Sequence, residues 1–551
     1  MAKEYAYLVA SNDQYLELKT TYPKAYFIKL DSSISINLNQ DLDVFVNHVP
    51  KHINPYIGAE FARIWYRDRS NFDHTFINGY SMGNFLERRL GIFFTYLLKF
   101  YFSAEHWHKK KIAIRVPLKI PYPLKSILRI FDNFEFIDID SSYQIDLDLM
   151  INRAKPSPLR IHWSTPIFNS IQRLFFFLNF KRKTICFSDW TYKGISNSNF
   201  IFSNSKNPLK GFYFQRPEKF KIKNKVKFKR EIALENLINF SFENKISYAR
   251  ELSLVLLKNI EKEIADCLPI AEKGYEILLK TIKKYQPKKI ILPGFLYSHY
   301  TLVLHLSKKL KIPVIVVIDG YTVRYSKYEF FLDEYGNDFL VRNFASMGTD
   351  FHSLISSKAK NKSNLVEIRA PILLHLKEKS LSQYKYDAMI LLSYPNLLNI
   401  FNRWDKRFES LKELIFVLQE IGLKNIAIKV KEGSLKSQNI ASLVGSDLVN
   451  IDFIDGHLHK SIHQAGLIIG QLSTALVETT YINKPYYVFE PFENGLTEQD
   501  IKDSIIDLNL VSRDCNSLRD NILKNNYFKT SPTSLESGIK IEQIASDKLF
   551  V

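Results

Sequence analysis

Cysteine is almost missing from this chain. Cys186, Cys267 and Cys515 stand far apart among 551 residues and never form a C-x-x-C pair. This excludes a disulfide framework and a cysteine zinc site, and it fits a reducing compartment. A membrane-spanning run is missing too. The most apolar stretch, Leu90 to Phe102 (LGIFFTYLLKFYF), contains Lys99 and falls short of the roughly 20 residues a spanning helix needs. It reads as a buried helix or as an aromatic helix at an anionic interface, flanked by Arg88, Arg89 and Lys109 to Lys111. The opening MAKEYAYLVASNDQY has no apolar core of signal-peptide length. The expected location is therefore cytoplasmic, with peripheral contact at the inner face of the plasma membrane. No P-loop, G-x-S-x-G, H-E-x-x-H or kinase signature occurs, which removes support for the common NTPase, esterase and metalloprotease readings.

Acidic residues are in deficit: 57 Asp and Glu face 76 Lys and Arg, a formal charge of +19. Such an excess favours an anionic partner such as phosphate, phospholipid or nucleic acid. Part of it is concentrated where Lys219, Lys221, Lys223, Lys225, Lys227 and Lys229 alternate with Phe220, Ile222, Val226 and Phe228. In a strand, that period puts the lysines on one face. The face is either a solvated edge that resists aggregation or a surface for lipid headgroups or an acidic polymer.

What is present is an ordinary folded composition, 46% apolar and 24% charged, in a chain too long for a single core. The C-terminal third alternates short β-rich runs with helical periodicity, the pattern of a parallel sheet with crossover helices. Strands are expected at Ala388 to Ser393, Asn425 to Val430, Leu448 to Phe453, Gly466 to Gly470 and Tyr486 to Phe489. Helices are expected at Arg403 to Ile421, Leu458 to Ala465 and Ser473 to Ile482. An earlier region repeats the alternation, with helices at Ala271 to Tyr285 and Thr301 to Leu310. Its strands are Lys289 to Leu292, Val314 to Ile318, Asp338 to Val341 and Leu365 to Ile368. The fold class is α/β, with two doubly wound Rossmann-like domains facing each other across a cleft. The expected division is an acceptor-side domain over 1–376 with a basic insertion near 203–230, a linker at 377–387, a donor domain over 388–530 and a tail at 531–551.

In a doubly wound sheet, ligands sit beyond the carboxyl ends of the strands, and phosphate favours helix N-termini. The segment GLIIGQLSTALVETTYINKPYYVFEP supplies such a place. Gly470 ends a strand and lets backbone approach a ligand, Gln471 and Leu472 turn, and Ser473 is a helix cap whose hydroxyl, with that of Thr474, faces phosphate. Thr474 and Glu478 are four apart and share a helix face, so the carboxylate reaches a ribose diol.

This segment resembles the donor domain of GT-B glycosyltransferases, particularly bacterial capsule and lipopolysaccharide enzymes. The resemblance rests on the strand, Gly470-x-x-Ser473-Thr474, the helix with Glu478, and Lys484-Pro485 before a strand. It covers about Tyr386 to Pro491. It implies a nucleotide-sugar donor of CMP or UDP type, a glycan or lipid-linked glycan acceptor, no cofactor and no nucleic acid partner. It places a donor-binding lysine at Lys429, with Lys431 beside it. Where many such enzymes continue with His-Pro, this chain has Lys429-Val-Lys-Glu-Gly433. On the acceptor side, Asp319 at the end of the VIVVI strand is the candidate general base, with His299 second and Glu60 third. Transfer without metal is expected. The Asp138-Ile-Asp140 and Asp146-Leu-Asp148 runs, and His457, His459 and His463, are the rival metal features. The alternative to an enzyme is an anionic-polymer or nucleic-acid binding protein that uses the lysine face.

Overall fold

A computed structural model describes residues 5–9, 12–30, 42–46, 48–67, 72–77, 79–116, 120–137, 184–188, 210–213, 228–292, 298–317, 343–347, 364–368, 384–392, 400–401, 404–430, 450–455, 458–491, 498–502 and 506–529. Three parallel sheets form along the chain. The first is made of β1 (Tyr5–Val9), β2 (Tyr26–Lys29), β3 (Asp43–Val44), β6 (Ala113–Val116) and β7 (Phe134–Phe136), in the order β3-β2-β1-β6-β7, while β4 (Phe76–Ile77) and β5 (Tyr80–Ser81) form a separate antiparallel pair. The second contains β8 (Thr184–Ser188), β9 (Lys210–Tyr213), β10 (Lys289–Leu292), β11 (Val314–Val317), β12 (Asn343–Met347) and β13 (Asn364–Ile368), in the order β13-β12-β11-β10-β8-β9. The third contains β14 (Tyr386–Leu392), β15 (Ile426–Val430), β16 (Ile451–Ile454), β17 (Ala465–Gly470), β18 (Tyr486–Phe489) and β19 (Val511–Ser512), in the order β16-β15-β14-β17-β18-β19.

Counted within itself, the third sheet runs 3-2-1-4-5-6, the doubly wound nucleotide-binding order. Its period-two alternation splits the apolar residues between two helix layers. Ala388, Ile390, Ile426 and Ile428 share a core with Leu411, Leu414, Ile415 and Leu418 of one long helix. Met389, Ala427 and Ile468 pack instead with Leu476, Val477 and Tyr481. Counted from its β9 edge, the second sheet runs 2-1-3-4-5-6, the other common doubly wound order.

The described helices are α1 (Asn12–Thr21), α2 (Ile57–Ile64), α3 (Met82–Lys109), α4 (Tyr122–Leu128), α5 (Arg230–Glu243), α6 (Ala249–Tyr285), α7 (Ser298–Leu310), α8 (Trp404–Glu420), α9 (Leu458–Ser461), α10 (Thr474–Tyr481), α11 (Glu498–Lys502) and α12 (Cys515–Leu523). The apolar run from Leu90 to Phe102 lies inside α3, with Leu90, Phe94, Leu97, Leu98 and Tyr101 fully buried. Each such side chain contributes about 1.5–3 kcal/mol over leaving it in water, so α3 is a core helix. It packs with α6 and α7, and Arg89 of α3 makes a buried double hydrogen bond to Glu263 of α6, with Nη2 to Oε1 at 2.9 Å. One continuous core joins Ala6 and Leu8 of the first sheet to Ile290, Leu292, Val314 and Val316 of the second. Among the described residues, no helix is long and apolar enough to cross a membrane.

Several boundaries differ from the sequence reading. The helix expected from Ala271 starts at Ala249 and runs through Pro269. The strand expected from Ala388 starts at Tyr386, inside the proposed 377–387 linker. Charged neighbours made this end look like linker, but their polar groups are satisfied at the sheet edge: the Tyr386 hydroxyl donates to Asp452 Oδ2 at 2.7 Å, and Asp387 Oδ2 accepts the Lys424 and Asn425 amides at 2.8 Å. A sixth strand, β19, and the capped helix α12 extend the third sheet past the five strands expected. The expected strand at Asp338 to Val341, the lysine alternation at 219–227 and the paired aspartates 138, 140, 146 and 148 lie outside the described residues.

Candidate functional site

In a 3-2-1-4-5-6 sheet the strand order reverses between strands 1 and 4, and a crevice opens beyond their carboxyl ends. Here those strands are β14 and β17, paired through Leu391 and Gly470. The Gly470–Ser473 turn and α10 leave the sheet at this reversal. Leu391 also pairs with Lys429 on its other side, so Lys429, Leu391 and Gly470 form one row across three strands. By strand spacing the outer two backbones are about 10 Å apart. Lys429 alternates onto the face of Ala427, which is the α10 face.

The turn is held from beneath by two groups of β18 and its end. The Tyr486 hydroxyl donates to the Gln471 carbonyl at 2.6 Å, and Glu490 accepts the Leu472 amide at 2.6 Å and Gln471 Nε2 at 3.3 Å. A β-carbon on Gly470 would strike the Tyr486 hydroxyl and lie 3.0 Å from its ring carbon Cζ. Glycine is thus required so that Tyr486 can cross beneath the turn, whereas the sequence reading assigned Gly470 to close approach of a ligand. Glu490 is 0% exposed, and it lies within electrostatic reach of the half-buried Arg513 guanidinium, whose pKa is lowered by burial and pulled back up by Glu498 and Glu490.

Ser473 occupies the N-cap position in extended backbone geometry, φ −152° and ψ 169°, but its side chain makes no capping hydrogen bond. Leu476 already donates to the Ser473 carbonyl at 3.0 Å, and a helix leaves its opening amides without an i−4 acceptor, so the segment presents a hydroxyl, N–H groups and the positive end of the helix dipole together. Thr474 opens α10, and the position of its side chain lies outside the description. Glu478 follows one turn later and is buried at 7% exposure. Lys429 is 5% exposed, and its ammonium donates to the Val430 carbonyl at 2.8 Å, at the carboxyl edge of β15.

No protein-family model matches the chain, and no curated protein sequence does. Solved structures that are similar to it include a UDP-GlcNAc 2-epimerase from Neisseria meningitidis bound to UDP-GlcNAc, with 11% identity, coverage of 66% of this chain and 97% of that one, and a TM-score of 0.37. A UDP-GlcNAc 2-epimerase from Methanocaldococcus jannaschii is 13% identical over 66% of this chain and 98% of its own, with a TM-score of 0.39. A glycosyltransferase from Rickettsia africae ESF-5 is 11% identical over 66% of this chain and 92% of its own, with a TM-score of 0.33.

The remaining candidates separate. Lys431 and Asp319 lie outside the described residues, and His299 is placed only as part of the first turn of α7. Glu60, on α2, accepts a hydrogen bond from Asn54 Nδ2 at 2.7 Å, and burial raises its pKa. Lys484 of the Lys-Pro pair sits at the opposite, amino-terminal edge of the sheet. There its ammonium donates to the Ala465 carbonyl and lies 3.9 Å from the Tyr384 ring centroid, with burial lowering its pKa to about 8. It closes the foot of β17 and takes no part in the turn. His457 lies outside the description, His459 is on α9, and His463 is buried in the short turn after it. Among the described residues, no group of three or more His, Cys, Asp or Glu is arranged to hold a metal ion.

Glu490 and Tyr486 are the residues that sequence reasoning missed. Both lie in the quoted segment, but their partners are 15 to 19 positions away, a distance at which no helical or strand period speaks.

Proposed function

We propose that the chain is a glycosyltransferase that binds a CMP- or UDP-activated sugar at the Gly470–Glu478 turn and transfers the glycosyl unit to a glycan or lipid-linked glycan of the bacterial surface. The donor sugar is of hexosyl or sialyl/Kdo type. The observation that carries this reading is the braced Gly470–Ser473 turn feeding α10 at the strand reversal of a 3-2-1-4-5-6 sheet. Ser473 and the α10 amides hold phosphate, and Glu478 bonds the ribose diol.

In the transfer, the bond between the anomeric carbon and phosphate oxygen breaks and its electron pair stays on the phosphate. The acceptor oxygen bonds the same carbon and gives its proton to Asp319, or to His299 if that residue is the base. The α10 N-terminus with Lys429 and Lys431 offsets the leaving charge, so no metal is required by this reading. Activity should survive EDTA. Loss on chelation with recovery on Mn²⁺ would move the chemistry to Asp138 and Asp140.

The test is a thermal-shift panel of CMP, CDP, UDP and GDP. One nucleotide at about 100 times its Kd should stabilise the protein by about 2.7 kcal/mol. In calorimetry, Glu478→Ala should weaken that nucleotide by about 1–3 kcal/mol. Absence of any nucleotide effect would remove the proposal, and unchanged affinity in a folded Glu478→Ala variant would remove Glu478 from the site.

A further inference from the structure

Helix α6 buries Leu252, Leu256, Leu257 and Ile260 in the N-terminal core. Its opposite face shows Arg250, Leu254 and Lys258 to solvent, each one helical turn from the next. Leu254 is 41% exposed between the two cations. At the far end of this stripe the Lys258 ammonium lies 4.5 Å from the ring centroid of Tyr122, which opens α4 and is 52% exposed. At the near end Tyr248 is 44% exposed, with its ring 5.4 Å from Phe131 and 6.5 Å from His108. His108 is followed at the end of α3 by the exposed Lys109, Lys110 and Lys111, of which Lys110 lies with its ammonium 4.7 Å from the Trp107 ring centroid. Arg129, at the end of α4, is exposed within electrostatic reach of Tyr122.

Acidic groups are sparse here and partly engaged. Asp132 pairs with His108 at 3.2 Å, Glu105 with Lys109 at 2.9 Å, and Glu261, one turn past Lys258, with Arg230 at 2.7 Å, which leaves Glu251 on a helix that also shows Arg250 and Lys258. The face is therefore cationic, with an aliphatic side chain at its centre and a tyrosine at each end.

We propose that this face of α6, α4 and the α3 end docks on an anionic phospholipid bilayer. Cations alone would serve any acidic polymer. Leu254 decides between the partners, because an exposed leucine between two cations gains by entering the acyl boundary and gains nothing on a polysaccharide or nucleic acid. Tyrosine also favours the interface, where its ring meets apolar carbon and its hydroxyl stays wet. None of these residues belongs to the Gly470–Glu478 turn, so the inference stands independently of the donor chemistry.

The test is co-sedimentation with phosphatidylglycerol–phosphatidylcholine vesicles and with pure phosphatidylcholine vesicles. The wild-type chain should bind the first and not the second, and binding should fall with salt. Arg250→Ser/Lys258→Ser should lower partitioning by at least about tenfold, and Leu254→Ser should lower it several-fold at unchanged charge and melting temperature. Should the double variant unfold, Lys110→Ser/Lys111→Ser on the adjoining helix end makes the same comparison. Failure of the wild type to bind anionic vesicles would overturn the inference. So would binding by Leu254→Ser at the wild-type level together with salt-sensitive capture on heparin, which would make the face a polyanion site.

Discussion

Glu490 has no exposed surface, yet it carries a carboxylate, and among its contacts it accepts the amide of Leu472 and the carboxamide of Gln471. A buried amide that loses its acceptor costs about 1–3 kcal/mol, whereas one that keeps a neutral acceptor costs far less. Glu490→Ala should therefore lower unfolding free energy by that amount, and Glu490→Gln should retain most of it, because its carbonyl oxygen can still accept the Leu472 N–H. Urea melts of the two variants decide the matter. Equal stability of Ala and Gln would mean that the turn does not depend on this bond. Gly470 belongs to the same construction, since the space a side chain would take is filled by the Tyr486 hydroxyl. The N-cap position of Ser473 and the helix start at Thr474 were legible in the sequence because helix starts have a local signature, although the Ser473 side chain makes no capping bond. The brace under them was not, because Tyr486 and Glu490 reach it across the sheet.

At the scale of elements, the alternation of short apolar runs and helical periods located β10, β18 and most of the third sheet to within a residue or two. Runs buried on both faces are continuous, as in VIVV of β11, and stand out from their surroundings. Two-residue β19 gives no such signal, and α12 is announced only by its Asp514 capping box. The packing of α7 on α3 adds a feature that periodicity cannot show. His305 of α7 is buried, with Nε2 3.3 Å from Asn84 Nδ2 and its ring against Phe76. Burial first, then Lys308 and Arg67, push its pKa down to about 3. The folded state thus holds His305 neutral, while the unfolded chain protonates it near the ordinary value of 6.5. Its contribution to stability is complete above about pH 6.5 and is lost as pH falls towards 3, with a slope approaching 1.4 kcal/mol per pH unit. His305→Gln should flatten that part of the stability–pH curve relative to the wild type. Parallel curves for the two proteins between pH 4 and 6.5 would show that His305 titrates freely.

On the scale of the whole molecule, the chain beyond β14 returns to the N-terminal core before α8 begins. Ile400 is fully buried in that core, and its amide donates to the Pro55 carbonyl at 2.8 Å, at the entrance to α2. A crossover helix starts at the carboxyl edge of its sheet, so the N-terminal body is anchored beside the edge where the Gly470–Ser473 turn lies. An acceptor-side base in that body would act across this junction. Asp319→Asn should keep nucleotide affinity and melting temperature but lower turnover at saturating donor by roughly 100-fold or more, and wild-type turnover would pass the role to His299. The central claim remains the location of the nucleotide. Amide hydrogen exchange of the whole chain, with and without the nucleotide that gives the largest thermal shift, tests it most directly. Slowed exchange concentrated in the peptide spanning 470–478 is expected, because bound phosphate would take up the opening amides of α10. Unchanged exchange in that peptide with protection elsewhere would contradict it.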